Sequence, residues 1–102
     1  MYGTVMRYRL KPGSETTALA LSDELAADPP LGFVAAYTCR LDSSGDEYIT
    51  TSVWTDRDTY VRSSSRERQQ RWIERVRELL VDDPQTGDGE VIHSVHVRRG
   101  KR

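Results

Sequence analysis

The 102-residue sequence lacks several features on which particular classes of protein depend. Cys39 is the only cysteine, which excludes an intrachain disulfide and a cysteine metal cluster. No apolar run approaches the roughly 20 residues that a membrane-spanning helix needs. The N-terminus also lacks the basic, apolar and small-residue segments of a signal peptide. We therefore predict a cytoplasmic protein that has no membrane partner.

Positive and negative charges nearly balance in the sequence, and the formal net charge is only -1. This balance argues against nucleic acid as a partner, since nucleic-acid binding depends on a basic surface. Arginines are concentrated at residues 62–77, and residues 98–102 form a basic tail. We interpret the first stretch as the solvated face of a helix. The length predicts one domain over residues 1–97, followed by the tail at residues 98–102.

The hydrophobic pattern predicts four strands and two main helices in the order strand, helix, strand, strand, helix, strand. Strands are predicted at residues 2–11, 31–41, 48–55 and 90–97, and helices at residues 14–27 and 64–81. A short helical turn carrying Tyr60 follows the third strand. Ser64 and Glu67 have the spacing of a capping box, which predicts the start of the long helix. Residues 85–89 are predicted to be a loop.

This order predicts an α+β fold of the ferredoxin-like type, a βαββαβ antiparallel sheet with the helices on one face. The other face of such a sheet is polar when it meets water. Here it carries apolar side chains, which we assign as Val5, Val34, Ala36, Ile49 and Val53. An exposed apolar sheet face usually marks an interface. We therefore predict a homodimer formed through the sheet face.

Three segments resemble a known family. The first strand ends in Lys11-Pro12-Gly13, and the second begins at Pro30-Leu31-Gly32-Phe33. The third strand ends within the segment Val53-Trp54-Thr55-Asp56-Arg57-Asp58-Thr59-Tyr60. These segments resemble the antibiotic biosynthesis monooxygenase-like domains of the dimeric α/β-barrel superfamily, and the resemblance extends from about Tyr2 to Val95. It implies homodimers with packed sheets and a pocket between helices and sheet in each subunit.

Activities within the resembled family differ. Some members oxidise polycyclic phenols with molecular oxygen and no cofactor, others cleave haem, and others isomerise or cyclise small molecules. The haem-cleaving pattern needs an asparagine, a tryptophan and a histidine, which correspond here to Met6, a position near Ser63, and Trp72 or Ile73. The sequence has no asparagine and no histidine in the long helix. Haem cleavage by that mechanism is therefore not expected.

Five residues are candidates for a substrate-binding pocket with flat apolar walls: Met6, Tyr8, Trp54, Tyr60 and Trp72. Tryptophan and tyrosine rings stack on aromatic ligands, and methionine adapts to an irregular shape. The alternative interpretation is that these side chains are ordinary core.

His93 and Tyr37 are candidate catalytic residues, because histidine moves protons near neutral pH and a tyrosine hydroxyl donates a hydrogen bond. For His93 the alternative is a histidine within or beside the core. His93 and His96 are three apart in the predicted strand, so they point to opposite faces and do not form a metal site together.

The resemblance and these residues together favour a cofactor-independent monooxygenase of a small aromatic or polyketide-like compound. In that reaction an electron-rich phenolate passes an electron to oxygen, so neither a flavin nor a metal is needed. The alternatives are a non-catalytic small-molecule binding or stress-response module, a polyketide cyclase or isomerase on the same fold, and a structural dimerisation domain with a filled core.

Overall fold

A computed structural model describes residues 1–97, and the basic tail predicted at residues 98–102 lies outside the described residues. Within residues 1–97, four strands and three helices follow one another. They are β1 (Tyr2–Arg9), α1 (Glu15–Ala27), β2 (Phe33–Arg40), β3 (Glu47–Trp54), α2 (Arg57–Ser64), α3 (Glu67–Arg77) and β4 (Gln85–Glu90). None of these described helices is long and apolar enough to cross a membrane.

The four strands form one sheet in the order β2-β3-β1-β4. All neighbouring strands are antiparallel, and β1 pairs with both β3 and β4. The helices lie on one face, because Tyr8 packs in a cluster with Ala18 of α1 and Trp54 contacts Tyr60 of α2. The predicted ferredoxin-like α+β fold is therefore confirmed. We call the helix-covered surface the inner sheet face and the other surface the open sheet face.

A bulge in β2 changes which of its residues lie under the helices. Phe33 pairs with Trp54 and Ala35 with Val53, so the alternation is interrupted at Val34. Because a bulge adds one residue to one strand, the side chains beyond it change faces. Ala36 consequently shares the inner sheet face with Ser52, and its assignment to the second, open face is wrong.

The core is built where β1 and β3 meet the residues that follow α3. Tyr8, Leu10, Tyr48 and Leu80 form a buried cluster. The predicted helical end near Val81 is wrong, because α3 ends at Arg77 and Leu80 forms an isolated bridge with Leu10. The backbone hydrogen bond from Lys11 N to Leu79 O, 2.8 Å long, fixes this departure from the helix.

The region predicted as a long helix with a capping box contains two helices. Asp56 caps α2 by accepting a hydrogen bond from the Thr59 amide at 2.7 Å, so α2 begins close to the predicted turn. Ser64 lies in the last turn of α2, and its hydroxyl donates to the Tyr60 carbonyl at 2.8 Å. The capping-box prediction is therefore wrong, because a back-bonded serine is not available to cap α3.

The last strand lies earlier in the chain than predicted. β4 is Gln85–Glu90, which pairs with β1, and the prediction of a strand at residues 90–97 is wrong. The predicted loop at residues 85–89 is wrong for the same reason. Glycines are tolerated in an edge strand, where backbone pairing and not side-chain burial decides the structure. Ile92 and Val95, in the segment after β4, are 91% and 75% exposed, so within one chain this apolar segment has no surface to cover it.

Gly32 makes a tight turn against the start of α2. Its φ is +83°, a conformation that favours glycine. A Cβ at this position would lie 2.9 Å from the Thr55 hydroxyl oxygen and 3.0 Å from the Thr59 Cβ, and closer still to the Thr59 methyl group. Gly13 has a similar φ of +78°, but a Cβ there would meet nothing within 4 Å. Substitution at either glycine therefore causes backbone strain, whereas only substitution at Gly32 also causes steric overlap.

We predict that Gly32→Ala destabilises the protein more than Gly13→Ala does. Both substitutions carry the left-handed backbone penalty of about 1–2 kcal/mol. Gly32→Ala adds the cost of overpacking, on the order of 1–3 kcal/mol. Urea unfolding followed by circular dichroism measures both values. Equal losses in the free energy of unfolding at the two positions would show that α2 moves away from the added methyl group at no energetic cost. That result would contradict the prediction.

Candidate functional site

The inner sheet face carries a patch of side chains that the helices only partly cover. β1 and β3 place alternate residues on this face, and their register sets Thr4 opposite Ser52, Met6 opposite Thr50 and Tyr8 opposite Tyr48. Tyr8 and Tyr48 are buried, whereas Thr4, Met6, Thr50 and Ser52 are only half-buried. The helices therefore leave the central part of this face only partly covered.

Two hydrogen-bonded series of side chains, each containing hydroxyl groups, lie across this patch. In the first, the Tyr8 hydroxyl lies 2.8 Å from the Thr50 hydroxyl, which lies 2.9 Å from that of Thr38. In the second, Thr4 and Ser52 share a hydrogen bond, and the Trp54 indole N–H donates to the Ser52 hydroxyl at 3.0 Å. Each hydroxyl both donates and accepts. The patch can therefore orient the phenol or carbonyl oxygens of a ligand.

An aromatic cluster closes one end of the patch. The Trp54 ring centroid lies 5.3 Å from that of Phe33 and 5.1 Å from that of Tyr60, in an edge-to-face arrangement with Tyr60. Tyr2 adds a ring at 5.4 Å from Tyr60. Such contacts stabilise ring positions beyond simple burial. The cluster is therefore a preformed apolar wall beside the hydroxyl groups.

The Tyr60 hydroxyl remains protonated over a wide pH range. Burial raises the pKa of Tyr60 above its ordinary value of 10.0, and the negative charge of Asp88 raises it further. Burial disfavours the charged phenolate, and a nearby carboxylate repels it. Tyr60 is therefore a hydrogen-bond donor at neutral pH, with Asp88 as the carboxylate beside it.

A charged group closes the other end. Arg40 binds both carboxylate oxygens of Glu15, with nitrogen–oxygen distances of 2.7 and 2.9 Å. The Tyr48 hydroxyl donates to the same carboxylate at 2.8 Å. The Arg40 and Tyr48 hydrogen bonds hold the pKa of Glu15 below its ordinary value of 4.5. Burial, followed by the Glu15 hydrogen bond, raises the pKa of Tyr48. This group holds α1 to the sheet and is not a proton donor or acceptor near pH 7.

The structure brings together four of the five predicted substrate-binding residues. Met6, Tyr8 and Trp54 lie on the inner sheet face, and Tyr60 contacts Trp54. Trp72 lies elsewhere: its indole N–H donates to the Leu21 carbonyl of α1 at 2.8 Å. Trp54 and Trp72 therefore do not form two walls of one ring-binding slot in the described arrangement.

Neither of the two predicted catalytic residues is a strand residue of the inner sheet face. Tyr37 pairs with Thr51 on the open sheet face and is 70% exposed. His93 is exposed in the segment that follows β4. Among residues 1–97, no group of three or more His, Cys, Asp or Glu side chains could hold a metal ion.

Sequence reasoning missed Asp88. The sequence pattern predicts a loop at residues 85–89, whereas β4 places Asp88 opposite Thr4 on the inner sheet face. Once β4 is paired with β1, a residue opposite Thr4 must point to the same sheet face as Thr4 and Ser52. The sequence does not indicate this strand, because the glycines on both sides of Asp88 give no hydrophobic alternation to detect.

A separate groove lies between the helices. It has a volume of about 580 Å³ and is formed by the C-terminal half of α1, residues 28–31, Ser63 and the α3 side that carries Trp72. The volume falls within the range of roughly 300–1,000 Å³ that is usual for small-molecule sites. None of the hydroxyl groups of the inner sheet face lines it.

The fold is shared with known structures, although no protein-family model and no curated protein matches the chain. The fold is that of solved structures described as a cofactor-independent oxygenase and as an antibiotic biosynthesis monooxygenase, in agreement with the fold that the sequence resemblance implied. SnoaB, a cofactor-independent oxygenase from Streptomyces nogalater, superposes with a TM-score of 0.76 at 20% identity, over 92% of this chain and 95% of that chain. Rv0793 from Mycobacterium tuberculosis has a TM-score of 0.73 at 13% identity, over 93% and 98% of the two chains.

A third similar structure is described as an antibiotic biosynthesis monooxygenase. It has a TM-score of 0.71 at 15% identity, over 91% of this chain and all of that chain (100%). At these identities the comparisons establish the fold of the present chain.

We predict that Glu15→Gln removes part of the acid sensitivity of the protein. Because the folded-state pKa of Glu15 is lowered, the unfolded chain binds more protons, and this carboxylate stabilises the fold above the ordinary glutamate pKa. That contribution is lost as the pH falls through the lowered pKa. The gap in urea midpoint between the wild type and Glu15→Gln should therefore narrow between about pH 6 and pH 3.

Glu74→Gln is the matched control for loss of one carboxylate on a helix, since Glu74 forms no ion pair among residues 1–97. A gap between the wild type and Glu15→Gln that stays constant with pH would contradict the prediction.

Proposed function

We propose that this chain is a cofactor-independent monooxygenase of a small aromatic or polyketide-like compound. One observation carries the proposal: a single sheet face combines a preformed aromatic wall with hydrogen-bonded hydroxyl groups that the helices leave partly uncovered. That SnoaB, of the same fold, is a cofactor-independent oxygenase supports it.

The substrate ring lies against Trp54 and Tyr60 in this proposal, with its oxygens toward the central hydroxyls. Thr50 and Ser52 hold the substrate oxygens, because both remain half-buried and both already belong to hydrogen-bonded series. Tyr60, kept neutral by burial, donates a hydrogen bond to the oxygen on which negative charge develops. Holding the ring in place also keeps water from the reactive anion.

The proposed reaction converts a ring CH₂ and O₂ into a ring C=O and water. A base removes one proton, and the resulting anion passes one electron to O₂. The ring radical and superoxide combine, forming a C–O bond and a peroxide anion, which takes the first proton back from the base to become a hydroperoxide. Loss of the second C–H proton then breaks the O–O bond and releases hydroxide, which is protonated to water. The electrons come from the substrate, so the chain supplies only binding and proton transfer.

Asp88 is the proton acceptor that we propose. It lies on the inner sheet face in the same row as Thr4 and Ser52, and its charge acts on Tyr60. His93 and Tyr37 are less well placed for this role within one chain, because neither is a strand residue of the inner sheet face.

The proposed oxygenase is tested with a panel of anthrones and hydroxyquinones in an oxygen electrode. We expect saturable oxygen uptake, and we expect Asp88→Asn to lower kcat by about 10²-fold or more, the usual contribution of a positioned base. Asp23→Asn, which removes an exposed aspartate of α1, should leave kcat unchanged. Circular dichroism verifies that both variants fold.

The alternatives give different outcomes in the same experiment. Substrate turnover without oxygen uptake would indicate a cyclase or isomerase. Saturable quenching of tryptophan fluorescence without turnover would indicate a binding module. Absence of both would leave a structural domain and would overturn the proposal. Equal oxygen uptake by the wild type and Asp88→Asn would support the oxygenase but would show that Asp88 is not its base.

We also propose that two chains associate through the open sheet face. Val5 and Tyr37 are 46% and 70% exposed there, and the segment after β4 adds exposed Ile92 and Val95. An exposed apolar face of this kind supports association, and a symmetric pair of sheets covers it with the same surface from each chain.

We predict that the wild type sediments as a dimer at micromolar concentration and that Val5→Asp sediments as a monomer. A carboxylate in the centre of the open sheet face would be desolvated on association. Leu19→Asp is the matched control, because Leu19 is also 46% exposed but lies on α1. A wild-type monomer, or equal dissociation of both variants, would overturn the proposed interface.

A further inference from the structure

The groove between the helices has a chemical character different from that of the inner sheet face. Its apolar wall is formed by the Trp72 indole, by Leu25 of α1, and by Pro30 and Leu31. The Trp72 indole is held in place by its hydrogen bond to the Leu21 carbonyl. A fixed indole next to prolines and leucines presents flat apolar surface, which favours a planar ring as occupant.

The charged side chains around this groove are mostly arginines. Arg66, Arg68, Arg71 and Arg75 line it from the α3 side, whereas its carboxylates are only Glu24 and Asp28. With Glu67, which pairs with Arg71 just outside the lining, four positive and three negative groups leave an excess of one positive charge, although the whole chain has a net charge of -1. The electrostatics of the groove therefore favour an anion.

These arginines are available to a ligand. Arg68 pairs with Asp28 at 2.8 Å, Arg71 with Glu67 at 2.8 Å and Arg75 with Glu24 at 3.1 Å, but all six of these side chains are about half or more exposed. Exposed pairs of this kind contribute little stability, so their rearrangement around a ligand costs little. Arg66 forms no ion pair among residues 1–97. Guanidinium groups bind carboxylate, sulfonate and phosphate oxygens in pairs and also stack on rings.

We propose that the groove between α1 and α3 binds an organic anion with a planar aromatic ring. The ring lies against Trp72, and the anionic group lies between Arg66 and Arg71. This site is separate from the inner sheet face, since its lining includes neither Thr50, Ser52 nor Trp54. It therefore serves to bind a second molecule, and it stands whether or not the chain is an oxygenase.

Isothermal titration calorimetry with naphthalene-2-sulfonate tests this site, with the neutral naphthalene-2-sulfonamide as its isosteric control. We expect saturable binding of the sulfonate that weakens at high salt, and at least tenfold weaker binding of the sulfonamide. Absence of sulfonate binding at millimolar concentration, or equal affinity for the two compounds, would overturn the proposal.

The double variant Arg66→Gln, Arg71→Gln locates the binding. We expect it to weaken sulfonate binding at least tenfold. The matched control is Arg57→Gln, Arg62→Gln, which removes the same charge from α2, outside the groove lining. Equal weakening by the two double variants would show a general effect of charge and would overturn the site.

A third variant, Trp54→Phe, distinguishes the groove from the inner sheet face. Sulfonate binding that Trp54→Phe abolishes and the Arg66, Arg71 variant leaves intact would place the anion on the inner sheet face and would overturn the proposal. Oxygen uptake by the Arg66, Arg71 variant should equal that of the wild type, so a failure of the proposed oxygenase and a failure of the groove site give different results.

Discussion

The position of β1 between β3 and β4 is the constraint on which the rest of the structure depends. Its register places Tyr8 opposite Tyr48 in the core and Thr4 between Ser52 and Asp88 on the inner sheet face. Because side chains alternate along a strand, a slip of one residue would exchange the two faces. The core at one end and the candidate site in the middle are therefore specified by the same backbone pairing.

The two ends of the inner sheet face attach different helices to the sheet. The Glu15, Arg40 and Tyr48 group joins α1 to the sheet through charge-assisted hydrogen bonds. At the other end, Trp54 and Tyr60 join α2 to β3 through ring contacts. Since both ends are occupied by protein, the half-buried hydroxyl groups lie between two fixed points. Such preorganisation is what a binding surface needs, because its groups do not have to be ordered when the ligand arrives.

The sequence predicted the parts of the fold that depend on side-chain periodicity. β1 alternates between Met6 and Tyr8 on one face and Val5 on the other, and α1 (Glu15–Ala27) lies within the helix predicted at residues 14–27. The features that were not predicted depend on backbone pairing. The bulge at Val34 and the glycine-containing β4 leave no periodic signal, because in both cases the hydrogen bonds of a neighbouring strand determine the conformation.

The candidate site follows the same division. Met6 and Tyr8 were predicted together because strand alternation places them on one face, and the register of β3 on β1 adds Trp54 to that face. Trp72 was assigned to the same pocket from the apolar stripe of its helix, but a stripe does not specify whether a residue faces the sheet or the next helix. Its hydrogen bond to Leu21 places it against α1. Asp88 was missed because its strand was missed.

The exposure of β4 bears on how the chemistry of such a protein changes during evolution. All six residues of this strand are exposed, although three of them lie on the inner sheet face. Substitutions in an exposed edge strand cost little stability, whereas those in the core at Tyr8 or Leu80 cost much. Proteins of this architecture can therefore exchange the polar groups at one edge of the site while the core is retained. A single scaffold built in this way changes its surface chemistry through one short strand and keeps its core.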